Sequence, residues 1–195
     1  PATATQSISF DMNLNAAASA GPPADNFAGS IEVYDSLGVS HIVSVNFTKT
    51  SNAGEWSYSM SLPDSDVTSP VAPVTGTLNF DTSGKLVNPP VEGPFPTFAI
   101  TGLSSGAADM NITWNLYNGA TPRLTGFAQT SAISAIGQDG NPAAQLIRVG
   151  LGDAGQVLAR NRPADVQAIV IAIAHVAQRH AVEGEPELDR KSTRL

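Results

Sequence analysis

Hydrophobic and polar residues alternate along four stretches in the first two thirds of the chain. Apolar side chains occupy every second position in these stretches, separated by Ser, Thr, Asn or Asp: 8–14, 43–47, 56–62 and 110–116. Because successive side chains of a strand point to opposite faces of its sheet, each stretch predicts a strand with one buried and one wet face. Such strands are typical of antiparallel sheets.

Turn-forming residues separate the predicted strands. Hairpins are predicted around 35–38, 81–84 and 152–155, where glycine supplies a backbone corner that other residues adopt poorly. The prolines of 88–96 argue against a central strand in that segment. Many short strands with frequent turns predict an all-β fold, an antiparallel sandwich or a barrel-like domain.

The composition changes near residue 160. Residues 1–159 contain twelve acidic and four basic side chains, whereas 160–195 contain five acidic and six basic ones. Only one of the seventeen glycines, Gly184, lies in this tail. Apolar residues at helical spacing predict a short helix over 164–180. The apolar run within it, 168–174, is too short to cross a membrane.

Charge and cysteine content narrow the classes of function. The net charge is -7, which argues against a nucleic-acid-binding protein, because such proteins present a basic face. The chain has no cysteine, so disulfides, cysteine-ligated zinc and a cysteine nucleophile are excluded. No apolar run is long enough to span a membrane.

A serine motif is the first candidate for a catalytic site. Residues 102–106 match G-x-S-x-G with Ser104 as the nucleophile, and His41 is the one histidine before the tail that could act as its base. A nucleophile elbow requires a helix directly after the serine, but a predicted strand follows here. The simpler interpretation is a turn between strands, with His41 in an ordinary polar or capping role.

Two further groups of residues also have simpler interpretations. Asp64 and Asp66 have a spacing that can begin a calcium loop, but the glycine and glutamate of an EF-hand are missing. Trp56, Tyr58 and Trp114 could form a platform for sugars, but their alternation with polar residues favours core packing. We therefore predict no catalytic, cofactor-binding or metal-binding residues, and no enzymatic activity.

Several sequence motifs follow one another in order along roughly 3–159. They are V-Y-D-S-L-G-x-x-H at 33–41, V-x-F-x-K at 45–49, a tryptophan strand at Trp56, L-x-F-D-x-x-G-x-L at 78–86, and the segments 112–116 and 124–140. In this order they resemble the middle β domain of the bacterial flagellar hook protein family.

The resemblance implies a structural role. Hook subunits assemble into a curved tube outside the cell, which acts as a universal joint between the motor and the filament. The implied partners are other copies of the hook protein, and no nucleic acid, membrane, cofactor or small-molecule substrate is implied. The implied location is the extracellular flagellum, reached by export without a cleaved signal peptide.

Two other functions remain open at this point. An extracellular β-sandwich adhesin or carbohydrate-binding module would use exposed aromatic residues such as Trp56 and Trp114. A serine hydrolase would use Ser104.

The resemblance also predicts a division of the chain. Residues 1–20 correspond to a strand from the adjoining inner hook domain, 21–142 to the middle β domain, and 143–159 to the returning hairpin of the inner domain. We expect the first and third of these segments to pair or to lie adjacent.

Residues 160–195 are predicted to be a non-native tail. The resemblance ends at Ala159, and a frame shift would explain the change of composition. The last residues, 189–195, resemble the translation of a sequencing-library adapter. The alternative is a natural C-terminus with an amphipathic helix.

Overall fold

The computed structural model describes residues 1–143, 145–151, 157–162 and 169–171, and the chain divides into two compact units, Pro1–Ala143 and Ala144–Leu195. The regular elements in the described residues are strands, apart from a 3-10 turn at Asp64–Asp66. The strands are β1 (Ser7–Asn13), β2 (Asn26–Tyr34), β3 (Ser40–Lys49), β4 (Glu55–Ser61), β5 (Val74–Phe80), β6 (Leu86–Asn88), β7 (Thr97–Ile100), β8 (Met110–Trp114), β9 (Tyr117–Asn118), β10 (Thr121–Pro122), β11 (Leu124–Thr125), β12 (Ala132–Gln138), β13 (Gln145–Leu151), β14 (Val157–Arg162) and β15 (Ile169–Ile171). The predicted all-β fold is confirmed.

The first sheet of unit Pro1–Ala143 is an antiparallel meander of five strands in the order β2-β3-β4-β5-β6. The predicted turns at 35–38 and 81–84 join β2 to β3 and β5 to β6, so both hairpins are confirmed. Every second residue of β3 and of β4 is buried, as the alternation predicted.

The second sheet is mixed rather than purely antiparallel. Its order is β11-β1-β8-β7, and β12 also pairs with β1. Strand β1 runs parallel to β8 and β11 and antiparallel to β12. The partners of β1 lie more than a hundred residues away along the chain, so no tight hairpin imposes an antiparallel direction on it.

Strand β1 is an integral part of this first unit. Among the described strands it pairs with β8, β11 and β12 of the same unit. The expectation that 1–20 and 143–159 pair or lie adjacent stays a prediction. The division at residue 20 stays a prediction about a whole hook protein.

The core lies between the two sheets and is built around Trp114, which is fully buried. Its ring meets Phe10 from its own sheet at a centroid distance of 6.0 Å, and it meets Tyr58 from the opposite sheet at 5.3 Å. Trp56 is also buried. The three aromatic residues that could have stacked on sugars are core residues, so the interpretation as core is confirmed.

The two sheets are joined at both sides, which gives the unit a barrel-like character. On one side Lys85 and Thr125 form an isolated bridge. On the other side the Thr5 N–H donates to the Tyr34 carbonyl at 2.8 Å. Beyond Thr5, the backbone of Thr3 pairs with that of Asn141, so the two ends of the unit run side by side.

The second unit contains a three-stranded antiparallel sheet in the order β13-β14-β15. The pairing of β13 with β14 confirms the strands of the third predicted hairpin, and its turn at 152–155 lies outside the described residues. Strand β14 continues past residue 159 to Arg162.

The prediction of a helix over 164–180 is wrong for the three residues of that range that the structure describes. Residues Ile169–Ile171 form strand β15, and the rest of the predicted helix lies outside the described residues. A short run of apolar residues is compatible with a strand as well as with one face of a helix. Within the described part of the chain, no helix has the length and apolar character to cross a membrane.

Candidate functional site

The two D-x-x-G turns of the first sheet have the same hydrogen bonds. In the first turn, Oδ1 of Asp35 accepts the N–H groups of Leu37 and Val39, at 2.8 and 3.0 Å. In the second, Oδ1 of Asp81 accepts the N–H groups of residues 83 and 85, also at 2.8 and 3.0 Å. Gly38 and Gly84 have φ values of +82° and +78°, a region that favours glycine. The motif residues therefore fix the turns.

The first turn also carries a polar cluster with a buried centre, which we call the Asp35 cluster: Asp35, His41, Asp66 and Ser105. Nε2 of His41 lies 3.2 Å from Oδ2 of Asp35, and Nδ1 of His41 lies 3.0 Å from Oδ2 of Asp66. The Ser105 hydroxyl donates to Oδ2 of Asp35 at 2.6 Å. Asp35 is 0% exposed and His41 is 4% exposed. A ring protonated on both nitrogens donates to both carboxylates at once.

The Asp35 cluster joins three turns that are distant in sequence. Asp35 belongs to the β2–β3 turn, Asp66 to the 3-10 turn, and Ser105 to the turn between β7 and β8. Backbone contacts reinforce the junction, because the Ser104 N–H donates to the Asp66 carbonyl at 2.9 Å and Val67 forms a bridge with Leu103. The cluster therefore holds one end of the unit together.

The order of groups in the Asp35 cluster does not suit nucleophilic catalysis. A hydrolytic triad needs the histidine against the serine, so that the ring can take the hydroxyl proton. Here Asp35 stands between Ser105 and His41, and the Ser105 proton already points to a carboxylate. The hydroxyl of Ser104 donates instead to the Ser65 carbonyl at 3.3 Å. The structure thus brings neither serine into a hydrogen bond with His41 among the described residues.

The pKa of Asp35 is lower than its ordinary value. Burial is the largest single influence and by itself raises this pKa. Hydrogen bonds from the Ser105 hydroxyl, the Val39 N–H, the His41 ring and a second backbone N–H favour the charged form and together outweigh burial. The carboxylate is thus stabilised in its ionised form inside the protein.

Acid is expected to destabilise the protein in part through Asp35. The folded-state pKa lies below the unfolded value of about 3.9, so the unfolded state binds the proton first as the pH falls. This contribution to stability is complete above that unfolded value and is lost as the pH falls through the folded value. Urea unfolding followed by circular dichroism between about pH 2 and 6 would measure it. The variant Asp35→Asn should show a shallower decline below about pH 4, and an unchanged decline would contradict this expectation.

A second anchor lies at the end of β12, at Gln138 and Asp139. One carboxylate oxygen of Asp139 accepts the N–H groups of Gln6 and Ser7, at 2.8 and 3.0 Å. The amide oxygen of Gln138 accepts the Thr5 hydroxyl at 3.0 Å. These contacts fix the start of β1 against the end of β12.

Lys49, the lysine that ends the V-x-F-x-K motif, stabilises a turn of the backbone. Lys49 is 7% exposed, and its ammonium donates to the carbonyls of Thr50, Asn52 and Glu55 at 2.7, 2.7 and 3.0 Å. These three carbonyls belong to the turn between β3 and β4. The ammonium therefore closes this turn.

Two grooves lie on the surface of the first unit. One, of about 610 Å³, contains Asp109 and Asp139, and both carboxylates accept backbone N–H groups of the protein itself. The other, of about 390 Å³, lies over β3, β4 and β5. Among the described residues, no group of three or more His, Asp and Glu is placed to hold a metal ion.

Ser105 is the cluster member that the sequence did not single out. The G-x-S-x-G pattern directed attention to Ser104, but the neighbouring serine contacts Asp35. Ser105 and Asp35 are separated by 70 positions along the chain, and no local sequence pattern indicates a contact between residues so far apart.

A family model described as "Flagellar basal body protein FlaE D2 domain" matches residues 3–141. No curated protein matches the chain.

Two solved structures show similarity at low sequence identity. A 32 kDa fragment of the flagellar hook protein FlgE from Caulobacter crescentus gives a TM-score of 0.49 and 18% identity, covering 58% of this chain and 46% of that one. The Helicobacter pylori flagellar hook protein FlgE2 gives a TM-score of 0.46 and 12% identity, covering 71% of this chain and 30% of that one. The chain thus spans less than half the length of either protein.

The family match extends over nearly all of unit Pro1–Ala143, from before β1 to beyond β12. It confirms the resemblance predicted from the ordered motifs. The chain belongs to the flagellar basal body protein FlaE D2 domain family.

Proposed function

We propose that the chain provides the middle β domain of a flagellar hook subunit, a structural component of the tube between motor and filament. The observation that carries this proposal is the family match over residues 3–141. The polar groups of the Asp35 cluster form hydrogen bonds with one another and so hold three turns together. A role in assembly without enzymatic activity agrees with this use.

The partners of such a domain are other copies of the hook protein, and its location is the extracellular part of the flagellum. The absence of cysteine agrees with export as an unfolded chain that needs no disulfide. Export without a cleaved signal peptide is part of the same proposal.

A carbohydrate-binding module is not favoured. The aromatic residues that would stack on a sugar, Trp56 and Trp114, are 2% and 0% exposed. A sugar ring cannot reach either side chain while the domain is folded.

The proposal can be tested in the bacterium whose gene encodes this domain. Antibodies raised against the purified chain should label the hook in electron micrographs, at the junction between cell and filament. In-frame deletion of codons 21–142 should abolish swimming, and the intact gene on a plasmid should restore it. Labelling elsewhere on the cell surface, together with normal swimming of the deletion strain, would overturn the proposal.

We also propose that residues 160–195 are not part of the native domain. The supporting observation is the change to six basic residues and one glycine in this tail. Amplification and sequencing of the gene from source DNA would decide the matter. An intact reading frame that encodes the present tail would contradict the proposal.

A further inference from the structure

Six short polar side chains lie together on the outer face of β3, β4 and β5. We call them the polar array: Asn46, Thr48, Ser57, Ser59, Thr75 and Thr77. They form two rows across β3, β4 and β5, because Asn46 is paired with Ser59 and Ser59 with Thr75, while Thr48 is paired with Ser57 and Ser57 with Thr77. The groove of about 390 Å³ lies along these rows. A third row on the same face, Ser30, Ser44 and Ser61, continues the pattern.

The polar array carries no charge in a strongly acidic unit. Residues 1–143 contain eleven acidic and three basic side chains, a net charge of 3 - 11 = -8. In β2–β5 the charged residues of the outer face are Glu32 and Glu55, and both lie outside the array. The opposite sheet carries on its outer side the ion pair of Asp11 with Arg123, at 2.8 Å. The array is therefore an uncharged patch on a unit whose net charge is strongly negative.

A neutral patch is where two copies of an acidic domain can approach with the least repulsion. Like charges brought face to face at an interface disfavour association, and an ion that loses water without a partner adds a further penalty. The cores of protein interfaces are depleted of charged residues for this reason. The charge distribution therefore favours a second copy of the same chain as the occupant of this face.

The side chains of the polar array suit a hydrated contact between proteins. Ser, Thr and Asn lose less rotamer freedom on ordering than long side chains do. Among the six, only Ser57 uses its side chain in a hydrogen bond within the described residues, to the Thr48 carbonyl at 3.2 Å. The other polar groups are available to a partner or to water. The groove is open to water, and water-mediated contacts can replace direct ones.

We propose that the polar array is the surface through which this domain contacts a neighbouring copy of the hook protein in the assembled tube. The inference rests on the proposed function, because it takes the hook as the assembly. It adds to that function the face that is used and the character of the contact, which is uncharged and hydrated.

Single-site photocrosslinking in assembled hooks tests the inference. This chain has no cysteine, so Asn46→Cys adds one attachment site for benzophenone maleimide to this part of the full-length hook protein, and the same protein without the substitution, treated in the same way, gives the background. The matched control is Asn111→Cys, since Asn111 is likewise an exposed asparagine in a strand, β8, but lies in the other sheet. After irradiation of isolated hooks, we expect dimers of the hook protein from Asn46→Cys at about five times the yield from Asn111→Cys, and no dimers from dissociated subunits.

Several results would overturn the inference. They are equal yields from the two sites, no dimer from Asn46→Cys in intact hooks, or a crosslink to a different protein. If Asn46→Cys does not assemble, Ser59→Cys in the neighbouring strand gives the same test. Intact hooks without a crosslink would leave the proposed function standing, whereas hooks that lack this protein altogether would refute both.

Discussion

Replacing Trp114 with alanine is expected to destabilise the first unit by about 3–5 kcal/mol. The indole is fully buried and is the point where the two sheets meet, because Phe10 contacts it from one sheet and Tyr58 from the other. Alanine would leave a cavity that neither sheet can close without moving away from its partners. Urea unfolding of the whole chain, followed by far-ultraviolet circular dichroism, would measure the change.

The control for Trp114→Ala is Ile136→Ala. Ile136 is 50% exposed on β12, so its truncation should change the free energy of unfolding by no more than about 0.5 kcal/mol. A Trp114→Ala variant that remains fully stable would contradict the described core. If such a variant also lost binding to glycans, the carbohydrate-binding alternative would have to be reconsidered.

Replacing Asp35 with alanine is expected to destabilise the protein by about 3 kcal/mol, because several donors around a buried carboxylate lose their acceptor. The substitution leaves the backbone N–H groups of Leu37 and Val39 without their acceptor. It also removes the carboxylate from the Ser105 hydroxyl and from the His41 ring. Because Asp35 and His41 are buried, water cannot fully replace the acceptor that the His41 ring loses. The midpoint of thermal or urea unfolding would report the effect.

The equivalent turn in the same sheet supplies a matched control. Asp81 accepts the same two backbone N–H groups within its own turn, but its side chain is exposed and water can reach the groups that Asp81→Ala releases. Asp81→Ala should therefore destabilise the protein much less than Asp35→Ala. Equal effects would show that the turn itself, rather than the buried cluster with His41, provides the stabilisation.

Local patterns in the sequence predict the parts of this fold that local physics determines. The alternation of Trp56, Tyr58 and Met60 with serines correctly predicts a strand with one buried face. The D-x-x-G segments correctly predict two turns, because the aspartate and the glycine there act within a few residues of each other.

Local sequence patterns do not predict long-range contacts or strands without regular alternation. Strand β12 was not predicted as a strand, because Ala132–Gln138 has no regular alternation and Ile136 points to solvent. The parallel pairing of β1 depends on strands that come far later in the chain. The contact between Ser105 and Asp35 likewise joins residues 70 positions apart. Such features depend on the assembled fold, so no window of neighbouring residues contains them.

The backbone pairing of Thr3 with Asn141 makes this unit an insertable module. Two N–H···O bonds of 3.0 and 2.9 Å hold the incoming and outgoing segments side by side. A domain whose two connections leave from one place can occupy a loop of a host protein without forcing apart the host elements on either side. A host protein can therefore accept or lose such a module with little change to the geometry of its own chain.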